Sequence, residues 1–140
     1  MKFKYRIKIT FAHLNPEGTV HHFEYARIFG IVRELFGLQV IPDFKEEIGR
    51  KYLLVTKDAA YNYLHPFYFG DEMVVKMWVS QIKDDRFTLL AEFINEKDRK
   101  VHARGSQTIV YVNLKGIPTP MPEKIKLAIE NVKEEKPFCN

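Results

Sequence analysis

Apolar and polar residues alternate along 2–11, KFKYRIKITF, a pattern typical of a β-strand with one solvent-facing side. The period changes over 22–36, where large apolar residues recur at three- and four-residue steps. These are Tyr25, Phe29, Val32 and Phe36. The spacing predicts a helix ending before Gly37. Because further apolar residues flank this stripe on nearly every side, we expect the helix to be buried.

Four further strands are predicted after a loop at 38–50 that contains at most a short turn. They cover residues 51–64, 71–83, 86–95 and 100–113. Polar connections of hairpin length between them predict antiparallel pairing. Gly105, inside the last of these strands, indicates either a β-bulge or the close approach of another group to the backbone. A short amphipathic helix with proline at its start, 122–135, completes the pattern.

The predicted order is strand, buried helix, four strands and a small helix. One apolar helix beside one antiparallel sheet predicts an α+β architecture, a five-stranded sheet wrapped around a central helix. The 140-residue length suits one domain spanning 1–140. An open sheet also leaves an edge strand that requires a partner or protection.

Composition restricts the expected cellular location of the protein and the kinds of partner and site that it can have. The single cysteine, Cys139, excludes an internal disulfide and a cysteine-based metal cluster. With neither a signal-peptide pattern nor an apolar run long enough to span a bilayer, the sequence predicts a cytoplasmic protein. The net charge of +4 suits an anionic partner or simply solubility. Nucleic-acid binding is disfavoured, because the aromatic residues of the first strand lie opposite its basic residues, Lys2, Lys4, Arg6 and Lys8.

The sequence predicts a reaction site at the N-terminus of the first helix. A helix N-terminus carries unpaired N–H groups and a partial positive charge, which can polarise a carbonyl and stabilise an oxyanion. Here those donors belong to His22, Phe23 and Glu24, and the polar loop containing Asn15 and Gly18 precedes them. The alternative interpretation is an ordinary helix cap beside a solvated loop.

These residues resemble the signature of hotdog-fold acyl thioesterases of the hydroxybenzoyl-CoA thioesterase type. The matching positions are Asn15, Gly18, Val20, His22 and Tyr25, and, in 61–71, Tyr63, Pro66, Gly70 and Asp71. The resemblance implies a hotdog fold and hydrolysis of an acyl-CoA or acyl-carrier-protein thioester, with neither cofactor nor metal. It places Gly18, Val20, Phe23 and Tyr25 at the substrate. It also implies a homodimer or homotetramer in which Thr56, Asp58 and Tyr61 help to complete the partner's site.

Asn15 departs from this family, which usually has a carboxylate at that position. An amide cannot act as a general base, a role typically worth about 10²–10⁴-fold in rate. Three hypotheses follow: Glu17, Glu24 or His22 replaces the base; Asn15 orients water or the carbonyl; or the site only binds. The second is supported by resemblance to the thioesterases of enediyne polyketide biosynthesis, which carry Asn in this loop and a G-x-x-R-E run, here Gly30, Arg33 and Glu34.

That resemblance gives catalytic roles to Asn15 and Arg33. Arg33 lies about 16 Å along the helix from His22, at 1.5 Å per residue. It therefore either forms a structural ion pair, for example with Glu34 of a neighbouring helix, or reaches a site completed by a partner subunit. For His22, either the backbone N–H or the ring is a candidate. His13, His21 and His22 lack the spacing of a metal site.

The sequence therefore predicts an acyl thioesterase with Asn15, His22 and Arg33 as catalytic groups, and Glu17 or Glu24 as the base if one exists. A non-catalytic acyl-binding or structural hotdog protein is the main alternative. A hotdog dehydratase is disfavoured, because its helix-start pattern of histidine with a carboxylate is not found in the sequence.

Overall fold

A computed structural model, which describes residues 3–134 and 138, contains one five-stranded antiparallel sheet and three α-helices within those residues. The strands are β1 Phe3–Lys8, β2 Leu53–Tyr63, β3 Glu72–Ile82, β4 Arg86–Asn95 and β5 Val101–Val112. The helices are α1 His22–Val40, α2 Phe44–Glu47 and α3 Glu123–Asn131. The strand order β1-β3-β4-β5-β2 leaves β1 and β2 at the edges. The predicted α+β architecture is confirmed.

Several predicted boundaries were wrong. Helix α1 continues to Val40 instead of ending at Phe36. Gly37 does not stop it, because this glycine serves packing: a Cβ there would lie 2.8 Å from the ring of Phe44. Strand β1 ends at Lys8 and a 3₁₀ turn, Phe11–His13, follows. The predicted loop at 38–50 contains α2.

Helix α3 is also shorter than predicted, since it ends at Asn131. Lys2 and Cys139, as well as residue 135 of the predicted last helix, lie outside the described residues. No helix in the described part of the chain is long and apolar enough to cross a membrane.

Helix α1 is buried on one side only. Ile28, Phe29 and Val32 are at most 1% exposed against the sheet. On the other side Phe23 is 70% exposed and Leu38 is 53% exposed. The expectation of burial all round was wrong, because a single sheet covers only one side of a helix.

The structure shows which of the two predicted reasons for a glycine at 105, a β-bulge or the close approach of another group, applies. It pairs in regular register with Ala91 and Tyr61, so it is not at a bulge. A Cβ at this position would lie 2.9 Å from the ring of Tyr61 and 3.0 Å from that of Phe29. Close approach is therefore the reason for glycine, and it lets Tyr61 pack edge-on against Phe29 of α1.

Candidate active site

Asn15 organises the loop before α1. Its Oδ1 accepts hydrogen bonds from the backbone N–H groups of Glu17 and Thr19, both at 3.1 Å. Its Nδ2 donates to the Thr19 hydroxyl at 3.1 Å. Gly18 takes the positive φ of 86° that this tight turn requires. The Asn15 oxygen is thus committed to the loop, and one Nδ2 hydrogen remains for a ligand.

A second loop in the chain is built in the same way. Asn113 Oδ1 accepts from the N–H groups of Lys115 at 2.9 Å and Ile117 at 3.0 Å, and Gly116 has a φ of 80°. This loop connects β5 to the segment before α3 and lies outside the cleft described below. The hydrogen bonds of Asn15 are therefore sufficiently explained by turn geometry. Its position beside the start of α1 is what distinguishes it.

Most donors at the start of α1 are already satisfied within the chain. The ring Nδ1 of His21, the N-cap residue, accepts from the Phe23 N–H at 3.1 Å, and the His21 carbonyl accepts from the Glu24 N–H at 2.8 Å. The Phe23 and Glu24 amides, which we expected to hold a carbonyl, are therefore paired with His21 in this structure. Within residues 3–134 no acceptor is found for the His22 N–H.

An open cleft of about 320 Å³ lies beside these groups. Its lining is Asn15, Thr19, Val20, His22, Tyr25, Tyr63, Leu64, His65 and Pro66. Burial, followed by the neighbouring Tyr63, raises the pKa of Tyr25 to about 12, so its hydroxyl stays protonated at neutral pH. The cleft is thus lined by the amide residue Asn15, by His22 at the start of α1 and by the tyrosines Tyr25 and Tyr63.

The remaining predicted residues are distributed around the cleft. Gly18 shapes the loop, and the mainly exposed Phe23 contacts the rings of His21 and His22 in tilted arrangements. Glu24 is paired with Arg27 at 2.8 Å. Neither Glu24 nor the exposed Glu17 is among the lining residues. Of the three candidate bases, His22 alone lines the cleft.

The far wall of the cleft depends on a residue that sequence reasoning missed. Buried His102 places Nδ1 3.0 Å from the Pro66 carbonyl and Nε2 2.8 Å from the carboxylate of Asp98. Its own carbonyl accepts from the N–H groups of Leu64 and His65. His102 lies 36 residues beyond Pro66 in sequence, so no local pattern indicated the contact.

Arg33 lies away from this cleft and is held by neutral groups. Its guanidinium donates to Thr56 Oγ1 at 2.6 Å, Gln107 Oε1 at 3.0 Å and the Leu54 carbonyl at 2.8 Å. Gln107 Nε2 in turn donates to the Tyr61 hydroxyl at 2.9 Å. The structural ion pair considered for Arg33 is not found among the described residues. Burial lowers the pKa of Arg33, because desolvation disfavours the cation.

Thr56 and Tyr61 are thus brought to Arg33, while Asn15, Val20, His22 and Tyr25 are brought to the cleft. Arg33 lies eleven positions beyond His22 in α1, or about 16 Å at 1.5 Å per residue. A single copy of the chain therefore does not unite the two groups around one reacting carbonyl.

Known structures show the same fold. A Staphylococcus aureus protein solved in complex with CoA superposes with a TM-score of 0.89 at 19% identity, over 100% of this chain and 89% of that one. The dynemicin thioesterase, in a study of polyene binding, gives 0.87 at 21% identity over 96% and 99%. A 1,4-dihydroxy-2-naphthoyl-CoA thioesterase from Synechocystis gives 0.84 at 19% identity over 94% and 97%.

These similarities establish the hotdog fold that the sequence resemblance implied. Among curated proteins, none matches the sequence significantly. The family assignment comes instead from the thioesterase-like superfamily, whose sequence pattern matches residues 9–129. That match covers all the residues that line the cleft, from Asn15 to Pro66, and the chain belongs to the thioesterase-like superfamily.

Proposed function

We propose that the protein hydrolyses an acyl thioester of CoA or of an acyl carrier protein to a free acid and a thiol. The observation that carries the proposal is the cleft at the start of α1, which is lined by Asn15 and by His22, whose N–H has no acceptor among the described residues. Membership of the thioesterase-like superfamily supports the reaction class. In this proposal residues 1–140 form one thioesterase-like domain.

In this proposal the thioester carbonyl oxygen accepts from the His22 N–H. Water adds to the carbonyl carbon, and the negative charge that develops on the oxygen is stabilised by this donor and by the positive end of the helix. Collapse of the tetrahedral intermediate breaks the C–S bond. The thiolate leaves and takes up the proton that the attacking water loses, so that acid and thiol are the products.

Asn15 would position the water or the carbonyl through its remaining Nδ2 hydrogen. The Asn15 oxygen accepts two backbone hydrogen bonds and cannot take up a proton. If a side chain serves as base, His22 is favoured over Glu17 and Glu24, because it is the one of these three residues that lines the cleft. Without such a base, water would be activated chiefly by polarisation of the thioester.

Arg33 would act in the site of a second copy. Strand β2 is an exposed edge, and pairing two β2 strands about a two-fold axis would set the two α1 helices antiparallel. The middle of one helix would then approach the start of the other. The proposed assembly is therefore a homodimer, or a tetramer built from it, with Thr56 and Tyr61 holding Arg33 in position and Asp58 on the same edge strand.

The proposed carrier is CoA, since a Staphylococcus aureus neighbour is bound to CoA and the Synechocystis neighbour is a CoA thioesterase. A net charge of +4 suits either CoA phosphates or an acidic carrier protein. The similarity to the dynemicin thioesterase and the Gly30-x-x-Arg33-Glu34 run support kinship with the enediyne subgroup.

The test is thiol release from acyl-CoA and acyl-carrier-protein substrates of graded chain length and from aryl-CoA substrates. Wild-type protein should hydrolyse at least one class, and Asn15→Ala should lower kcat/KM for it by at least about tenfold, the loss expected for removing a water-positioning group. Asn113→Ala is the matched control, because it removes the same turn interactions outside the cleft. Equal activity of both variants and wild type would remove Asn15 from the mechanism.

One observation favours acyl binding without turnover as a second candidate. The Asn15 side chain is largely used by its own loop, and no carboxylate is among the residues that line the cleft. In that case calorimetry would detect binding of CoA thioesters, while none of the substrates would release thiol.

A further inference from the structure

The structure contains a second cavity, separate from the cleft, beside the C-terminal half of α1. Its volume is about 300 Å³, at the lower end of the range for small-molecule pockets. The lining is largely apolar, with Arg33 and Glu34 as its charged residues. It runs along α1 from Gly30 to at least Gly37, about 10 Å at 1.5 Å per residue.

We propose that this cavity holds the acyl group of the thioester, and that Phe44 of α2 is the end wall that limits its length. This rests on the proposed function. In the two-fold dimer, the antiparallel α1 helices bring the cavity of one copy toward the cleft of the other. Arg33 marks the polar end of the cavity, nearest to the reacting carbonyl, and the apolar chain extends from there toward Phe44.

Phe44 reaches its position because of Gly37. Two ring carbons of Phe44 lie 2.8 Å from the point where a Cβ on residue 37 would stand, so any other residue there would displace the ring. Phe44 is 9% exposed and begins a helix of four residues, which is too short to be stable alone. The wall therefore depends on contacts from outside α2.

Those contacts come from α3 and from the segment before β2. The buried Glu47 of α2 accepts from Lys124 of α3 at 2.8 Å and from Lys51 at 3.1 Å. Lys124 also reaches Asp43, the residue before α2, at 3.3 Å. One lysine thus ties both ends of α2 to α3. The inferred role of Lys124 is to position Phe44, and through it to restrict which acyl groups fit.

The substrate class that follows is a compact apolar acyl group, either a medium-length straight chain or a single aromatic ring. A long straight chain would meet the Phe44 ring. The apolar lining disfavours an acyl group with buried polar substituents, because burying an unpaired polar group is costly.

The experiment measures kcat/KM over a series of straight-chain acyl-CoA substrates from butyryl to palmitoyl. Wild type should peak below palmitoyl. Phe44→Ala should raise the palmitoyl-to-octanoyl ratio of kcat/KM by roughly tenfold or more, the scale of discrimination in apolar pockets. Lys124→Met should shift the ratio in the same direction by less, and Ile48→Phe, which fills the cavity, should move the optimum to shorter chains.

Ile129→Ala serves as the control for general loss of packing. Ile129 is fully buried in α3 but is not among the lining residues, so its variant should keep the wild-type ratio while losing stability. An unchanged ratio in both Phe44→Ala and Ile48→Phe would overturn the inference even if the wild type is an active thioesterase.

A binding readout separates this inference from the proposed function. The fluorescent probe 1-anilinonaphthalene-8-sulfonate would be displaced by octanoate and by palmitate from wild type and from Phe44→Ala. If no thioester is hydrolysed but Phe44→Ala selectively gains palmitate binding, the proposed function fails and the acyl cavity stands. If palmitate displaces the probe equally well from both proteins, the end wall is refuted.

Discussion

Single residues in this chain often have a structural task that precedes any chemical one. Asn15 folds a turn, His21 caps a helix, and Gly37 and Gly105 make room for rings. Each was noticed in the sequence because its residue type stood out, but the residue type alone did not reveal which task it performs. The two asparagine loops show this directly, because the same turn occurs once beside the cleft and once away from it.

Asn15→Asp should leave stability nearly unchanged. An aspartate retains the oxygen that accepts from Glu17 and Thr19, and the Thr19 hydroxyl can turn to donate to the second carboxylate oxygen. Asn15→Ala, by contrast, leaves those groups without their partner and should lower the free energy of unfolding by about 1–3 kcal/mol. Urea unfolding measures both changes. A large loss in Asn15→Asp would show that the amide hydrogen is indispensable to the turn.

The activity of Asn15→Asp then becomes interpretable, since its turn is intact. A strong gain in thioester hydrolysis would indicate that a carboxylate is what the site lacks. A fall in activity would indicate a dedicated role for the amide. Asn113→Asp makes the same chemical change in the other loop and should leave the rate of thioester hydrolysis unchanged.

Gly105→Ala should destabilise the protein by about 1–3 kcal/mol, as overpacking of a well-packed core does. The added methyl group would meet the rings of Tyr61 and Phe29 at about 3 Å. Thermal unfolding measures the loss. Gly30→Ala is the matched control, since it adds the same group to a glycine with open space around its Cβ position. A similar loss in Gly30→Ala would mean that the ring contacts are not the cause.

At the scale of elements, the sequence predicted what local pattern determines and missed what tertiary contacts determine. The five strands and α1 were predictable because their periodicity extends over many residues. The continuation of α1 past Gly37 was not, because the ring that explains the glycine belongs to Phe44. Likewise α2 is stabilised by Lys124, about eighty positions away, and His102 supports the cleft from β5.

The contact between α2 and α3 should make stability depend on pH. The hydrogen bond from Lys124, followed by that from Lys51, holds the pKa of Glu47 below its ordinary value of 4.5. A carboxyl group whose pKa is lower in the folded state stabilises the fold above its unfolded pKa. This contribution is lost as pH falls through the folded pKa. Stability should therefore decline in acid below about pH 4.5.

Glu47→Gln isolates this contribution, because Asp85 and Asp98 also have lowered pKa values and remain in the variant. Denaturant unfolding of both proteins, at neutral pH and in increasingly acidic buffers, should show their stabilities converging as pH falls. Parallel curves would mean that the pair with Lys124 contributes little to the stability of α2.

At the scale of the whole molecule, the single chain contains the parts of a reaction site without uniting them. Asn15 and His22 lie at the cleft, while Arg33 contacts Thr56 and Gln107. His22 and Arg33 belong to the same helix and are about 16 Å apart along it, at 1.5 Å per residue. One side of α1 is uncovered, and β2 is a long, exposed edge. The sequence predicted Asn15, His22, Arg33 and Thr56 and the distance along the helix between His22 and Arg33, but the contact of Gln107 with Arg33 is seen only in the structure.

These three features have one common solution, pairing of two copies through β2. A two-fold axis repeats every contact, so an antiparallel β2 pair would satisfy both edges and set the α1 helices side by side. The expected mass in solution is therefore a multiple of 16.5 kDa, twice or four times that of the chain. Light scattering on a sizing column measures it.

The double substitution Val55→Lys and Ala60→Lys should break this assembly, since lysines on an edge strand oppose pairing and like charges meet across the axis. Leu114→Lys with Ile117→Lys adds the same charge at exposed positions outside β2 and should keep the wild-type mass. If Arg33 serves the partner's cleft, the β2 variant should lose hydrolysis together with its mass. A monomer with full activity would mean that each copy completes its own site, and Arg33 would then have no part in the reaction at the start of α1.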